Sequence, residues 1–176
     1  MFYPILSSVF WIYILLSNYK KHKSNIHAIP VVILSLLSIF SFIDEWYVIY
    51  FSFSYFIWDL LLHCIPNKKL QYIIHHVFTI SVFFSNIMYE NQKYKFTSYT
   101  LLIELTTPIL NLWKKNNKKW FNLLFVSFFC VRIFYYSCIF YYILCYANKY
   151  ISKCISGLIF FLQYIYFYKL CKIKLR

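Results

Sequence analysis

The chain has 176 residues, of which 62% are hydrophobic, 25% aromatic and only 13% charged, with a formal net charge of +13. A water-soluble domain of this length cannot hide that much apolar surface, so the composition excludes one. The positive charge does not indicate nucleic acid either, because the lysines fall in short clusters between apolar runs and not along one face.

Measured against the thickness of a bilayer, the apolar runs predict seven helices. In chain order they are Phe2–Leu16, Ala28–Phe42, Trp46–Ile65, Leu70–Tyr89, Phe96–Trp113, Trp120–Ala147 and Ile151–Leu170. The expected fold class is all-α, a polytopic integral membrane helical bundle with a six-helix core plus one N-terminal span. Residues 1–25 are read as that span and a basic loop, 26–171 as the membrane domain and 172–176 as a short basic tail. The first run has no basic n-region and no small-residue cleavage site, so it reads as an uncleaved anchor and not a signal peptide. Six crossings would remain if this short run does not insert. Asp44 and Glu45 interrupt a stretch too long for one crossing and predict a tight hairpin. Pro4 and Pro30 are placed in the first turns of their helices, and Pro66 just past the end of another.

Seven crossings put Lys20, Lys21, Lys23, Lys68, Lys69, Lys114, Lys115, Lys118, Lys119, Lys169, Lys172, Lys174 and Arg176 on one side. Lys93, Lys95, Lys149 and Lys153 fall on the other, with the acidic turn. The positive-inside rule then predicts a lumenal or outside N-terminus and a cytosolic C-terminus. The six cysteines contain no CxxC pair and mostly lie within apolar runs, so they read as packing residues, with neither a disulfide framework nor a metal site expected. Cys171, beside the basic tail, is the one placed for palmitoylation.

Polar groups at membrane depth are costly unless paired or facing a cavity, so they carry the functional information. Ser52, Tyr55, Asp59 and His63 share one face of the third span on helical spacing. His75, Thr79 and Asn86 form a stripe on the fourth, with His76 adjoining. The fifth span carries Thr97, Thr100, Glu104, Thr107 and Asn111, and the sixth carries Arg132, Tyr135 and Tyr142. Ser35 and Ser38 mark the second span, and Ser152, Ser156 and Gln163 the seventh. Spans two to seven therefore predict a bundle with a polar interior opening towards the cytosol, and the first looks peripheral.

Each group also has a structural reading. Glu104 and Arg132 are either an ion pair or ligand contacts, and Asp59 either fixes helix register or serves catalysis. His75 and His76 suit proton transfer, structure or metal binding. Neighbouring helical residues point about 100° apart, so one histidine is expected to face the interior while the other bonds an adjacent helix. A zinc site at this pair needs a third ligand that the spacing does not announce. Pro108 cannot donate to the Glu104 carbonyl, so a bend is expected there, with the Thr106 or Thr107 hydroxyl covering the freed carbonyl.

The stretches Ser54-Tyr55-Phe56-Ile57-Trp58-Asp59, His75-His76 and Glu104-Leu105-Thr106-Thr107-Pro108-Ile109-Leu110-Asn111, followed by Arg132, resemble the successive motifs of the TLC domain. That domain is shared by translocation-associated membrane proteins and ceramide synthases, and the Glu104–Asn111 run is similar to small TLC proteins of the transmembrane-protein-56 type. The resemblance covers about Ile26 to Leu170. It implies an endoplasmic-reticulum-type membrane and lipid-related work. The coding bias would suit an AT-rich protist or a large DNA virus, and in the latter case a host membrane. In the acyl-transferring members the paired histidines belong to the motif for moving an acyl group from acyl-CoA to a sphingoid base, and His75 and His76 match that pair. The downstream acidic motif is not matched, since Leu102-Ile103-Glu104-Leu105-Thr106-Thr107 holds one acid and no histidine.

The leading expectation is thus binding or sensing of an acyl chain or sphingolipid by Tyr55, Asp59, His63, Glu104, Thr107, Asn111 and Arg132, influencing membrane lipid composition. The alternatives are acyl-CoA-dependent lipid N-acylation, with His75, His76 and Asp59 as catalytic candidates, or a trafficking scaffold. No cofactor is expected, acyl-CoA entering only as the co-substrate of the enzymatic alternative. Membrane lipids are the expected partners, nucleic acid is not, and a membrane-protein partner or homo-oligomer stays open.

Overall fold

The computed structural model describes residues 2–68, 70–89, 94–148 and 150–174. Lys69, Lys93, Lys149 and Arg176 of the charge pattern lie outside the described residues, as do the side chains of Lys20, Lys21 and Lys118.

Every described element is helical. Helix α1 is Phe2–Leu16 and is followed by a 3-10 turn, Asn18–His22. Helix α2 is Lys23–Ile39 and α3 is Glu45–Cys64, whose last turn, Leu60–Cys64, is π-helical. Helix α4 is Leu70–Tyr89. Helix α5, residues 96–115, is α-helical over Phe96–Leu101, 3-10 over Leu102–Thr106 and α-helical again over Thr107–Lys115. Helix α6, residues 117–146, contains a π segment, Phe128–Tyr135, and α7 is Tyr150–Lys174.

All seven expected helices form. By length and composition, three helices among the described residues are long and apolar enough to cross a membrane: Glu45–Cys64, Lys119–Tyr146 and Tyr150–Lys174. The helices Phe2–Leu16, Lys23–Ile39 and Tyr72–Met88 are apolar but shorter. Large apolar side chains on the outside, among them Phe2, Ile5, Leu6, Phe134, Tyr141 and Phe161, form a coat suited to lipid.

Neighbouring helices close a ring in the order α2, α3, α4, α7, α6, α5 and back to α2, and α1 lies outside it against α3. The first helix is peripheral to the ring yet firmly attached. Trp11 is fully buried and its indole donates to the Phe51 carbonyl at 2.9 Å, while Ser7 donates to the Tyr50 carbonyl at 3.3 Å. Trp11, Ile14 and Leu15 share a hydrophobic core with Val31, Val48, Phe56, Phe83 and Leu101. Two further clusters join α5 to α6 and α6 to α7, around Tyr136 and Leu124 respectively.

Helix α2 begins five residues before the expected Ala28, because hydrophilic residues read as loop find partners on other helices. Pro30 consequently sits inside α2 and not in its first turn. The acidic hairpin forms, but its two acids divide. Asp44 is exposed, whereas Glu45 is buried and accepts the Ser98 backbone N–H at 2.8 Å. A carboxylate from α3 thus caps the start of α5, where free N–H groups and the helix dipole favour a negative charge.

Candidate functional site

The π turn at the end of α3 organises the first part of the site. Its wider ladder, marked by the Ile65 N–H reaching the Leu60 carbonyl at 3.0 Å, brings a residue five positions on over its starting point. Cys64 therefore takes the face of Asp59, with Sγ donating to Asp59 Oδ2 at 3.9 Å. His63, expected on that face by α-helical spacing, turns towards α1, where its Nε2 lies 3.2 Å from the Leu15 carbonyl.

Asp59 is buried and bound from two more helices. Lys23 of α2 donates to Oδ1, and His76 Nε2 of α4 lies 3.0 Å from Oδ2. His76 Nδ1 lies 2.8 Å from the Tyr72 carbonyl, an acceptor only, so Nδ1 carries a hydrogen. The other nitrogen then faces a carboxylate oxygen, and a cation must stand between the two.

His75 differs from its neighbour. It is half-buried and edge-on to Phe56 and His76, and its ring nitrogens make no hydrogen bond among the described residues. Arg132 is near enough to act on its charge. The pair divides as the angle between adjacent helical residues requires: His76 bonds α3, and His75 keeps its nitrogens unengaged.

The second part lies between α5, α6 and α7. Glu104 and Arg132 make no direct ion pair. Arg132 Nη2 donates to Thr107 Oγ1 at 3.3 Å, and that hydroxyl donates to Glu104 Oε2 at 2.6 Å. Arg132 Nε donates to Thr106 Oγ1 at 2.6 Å, and Nη1 reaches Gln163 Oε1 at 3.4 Å. The break before Pro108 is a 3-10 turn in which the Thr107 backbone N–H, and not a hydroxyl, covers the Glu104 carbonyl. The freed hydroxyls serve elsewhere: Thr106 donates to the Ile103 carbonyl at 3.0 Å while receiving Arg132.

Tyr55 and His27 link the two parts. Their rings stack at 4.1 Å, and His27 lies near enough to Glu104, Asp59, His75 and His76 to feel their charges. Asn111 stands apart from this group: its amide donates to Ser24 Oγ at 2.9 Å and Asn25 Oδ1 at 2.6 Å, tying α5 to the first turn of α2. Sequence reasoning missed Lys23, His27 and Cys64 as site residues. The signal for the first two was their i, i+4 spacing in register with Ser35 and Ser38, masked by treating residues before Ala28 as loop. All six ring helices contribute a polar residue to the site. An open groove of about 480 Å³ lined by Tyr3, Leu34, Asp44 and Tyr47 includes none of these residues.

The stretches that resemble TLC motifs supply the residues of the site: Asp59, the His75–His76 pair, Glu104 and Thr107 of the Glu104–Asn111 run, and Arg132. A family model described as the TLC domain matches residues 1–172. The chain belongs to the TLC-domain family. The match takes in α1, which the motif resemblance from Ile26 onward did not cover. No significant match is found among curated proteins or among solved structures. Membership of the TLC family, with the apolar helices, indicates an integral membrane protein with a membrane-lipid-related function.

Proposed function

We propose that this TLC-domain protein binds a membrane lipid, an acyl chain or sphingolipid, and influences lipid composition without chemistry of its own. The observation that carries this reading is how the reactive groups are engaged. Both His76 nitrogens are committed, to the Tyr72 carbonyl and to Asp59, and Asp59 is shared with Lys23. A general base needs an open nitrogen within reach of the substrate and a group that orients the ring. His76 has the orienting carboxylate but no open nitrogen, while His75 has open nitrogens but no carboxylate on its ring. An unengaged imidazole within the electrostatic reach of Arg132 suits hydrogen bonding to a lipid hydroxyl or amide. In this reading the lysine-rich end of the bundle faces the cytosol, and the membrane is of endoplasmic-reticulum type.

The test is lipid extraction from the full chain purified in detergent. Wild type is expected to carry a bound lipid class that falls several-fold in His75→Ala; a lipid-free wild-type protein overturns the reading. The specific observation favouring the acyl-transfer alternative is the 3.0 Å contact between His76 and Asp59. New N-acylated lipids in cells lacking ceramide synthase, made by wild type and not by a His75→Ala/His76→Ala variant, would establish it.

A further inference from the structure

Asp59, Cys64 and His76 come from two helices, and all three are buried. One ligand atom from each lies within 4.8 Å of the other two: Asp59 Oδ2, Cys64 Sγ and His76 Nε2. We infer that these three side chains form a zinc site at the junction of α3 and α4, with a fourth coordination position left for an exogenous ligand.

Four observations carry this. The first is ligand chemistry: a thiolate, an imidazole and a carboxylate together select zinc among the common divalent ions. The second is size. Zinc bonds of about 2.0 Å to nitrogen and oxygen and about 2.3 Å to sulfur, arranged tetrahedrally, separate the ligand atoms by about 3.3–3.5 Å. The observed separations are 3.0 Å between His76 Nε2 and Asp59 Oδ2 and 3.9 Å between Cys64 Sγ and Asp59 Oδ2. Shifts of a few tenths of an ångström bring those two pairs to that spacing, and the third pair, within 4.8 Å, closes by at most about 1.3 Å.

The third observation is the orientation of His76. Its Nδ1 hydrogen is held by the Tyr72 carbonyl at 2.8 Å, which turns the Nε2 lone pair towards Asp59 and Cys64. Histidines that bind metals are characteristically fixed in this way through their other nitrogen. The fourth is the π turn of Leu60–Cys64, which removes Cys64 from its α-helical position and sets it beside Asp59. That turn supplies the third ligand that the His75–His76 spacing lacked.

Charge balance permits the exchange. Without metal, Lys23, Asp59, the one proton held between Asp59 and His76, and a neutral thiol sum to one positive charge. With zinc, the proton between His76 and Asp59 and the Cys64 thiol proton both leave, and two positive charges arrive. Zinc, aspartate, thiolate and Lys23 again sum to one positive charge, so uptake releases two protons and adds no net charge within the apolar interior.

The experiment uses the full chain in detergent with Cys130, Cys138, Cys145, Cys154 and Cys171 all replaced by Ser, positions that are exposed or half-buried. Cys64 is then the sole thiol. After loading with zinc and desalting, about one zinc per chain is expected by elemental analysis, falling about tenfold or more in a further Cys64→Ser variant. Replacing zinc by cobalt is expected to produce a thiolate-to-cobalt charge-transfer absorption, a reading that needs no folded variant. A monodisperse protein that retains no zinc and shows no such absorption overturns the site and leaves a proton between His76 and Asp59. Zinc content unchanged by Cys64→Ser overturns it equally.

Discussion

Two of the irregular turns of the ring work in opposite directions. The turn at Leu60–Cys64 is widened to π geometry, and the one at Leu102–Thr106 is tightened to 3-10. Widening rotates the residues after it, so Cys64 replaces His63 beside Asp59. Tightening presents the consecutive hydroxyls of Thr106 and Thr107 to Arg132. The electrostatics differ as well. At the widened turn a single carboxylate binds two basic groups directly, whereas at the tightened turn the two charges communicate through neutral hydroxyls. Direct pairing makes each member indispensable, and relayed pairing leaves a neutral partner when one charge is removed.

Replacing Asp59 with Ala tests the direct arrangement and has the largest expected effect. It strands Lys23 and His76 without their anion, and breaking a buried pair from one side costs about 3–5 kcal/mol. A steep fall in detergent-resistant folding, followed by thermal unfolding, is the expected reading. Arg132→Met tests the relay. Glu104 keeps the Thr107 hydroxyl, so the loss is confined to the hydrogen bonds Arg132 donates, about 2 kcal/mol in the same assay. A loss equal to that of Asp59→Ala would mean that the relay behaves as an ion pair. Pro108→Ala is the mildest, changing stability by less than about 1 kcal/mol, because Thr107 already covers the Glu104 carbonyl. A larger change would show that the proline itself holds the tightened turn.

The sequence made the tightened turn partly legible and left the widened one hidden. Pro108 announces a missing hydrogen bond, and only the group that covers the carbonyl was misassigned. Nothing in Leu60–Cys64 announces an extra residue in the turn, and regular spacing favoured His63 over Cys64. Helix existence was readable throughout, and for Phe2–Leu16 and Leu70–Tyr89 even the boundaries were, because each is a clean apolar run. The start of α2 was not readable, since Lys23, Ser24 and Asn25 look like loop until Asp59 and Asn111 are seen opposite them. That Glu104 and Arg132 come together was legible from spacing. The intervening hydroxyl was not, because it depends on side-chain direction and not on position along the helix.

The ring order has a consequence for how the protein is made. Helix α7, synthesised after the other six, sits between α4 and α6, and its Ser152 lies 2.8 Å from Ser85 of α4. Until it emerges, the nascent bundle is an open crescent whose polar interior faces the bilayer, and Arg132 lacks Gln163. Closure therefore waits for α7 and joins distant parts of the chain, and a polypeptide stopped before Tyr150 would present its unpaired interior to the machinery that removes unfinished membrane proteins.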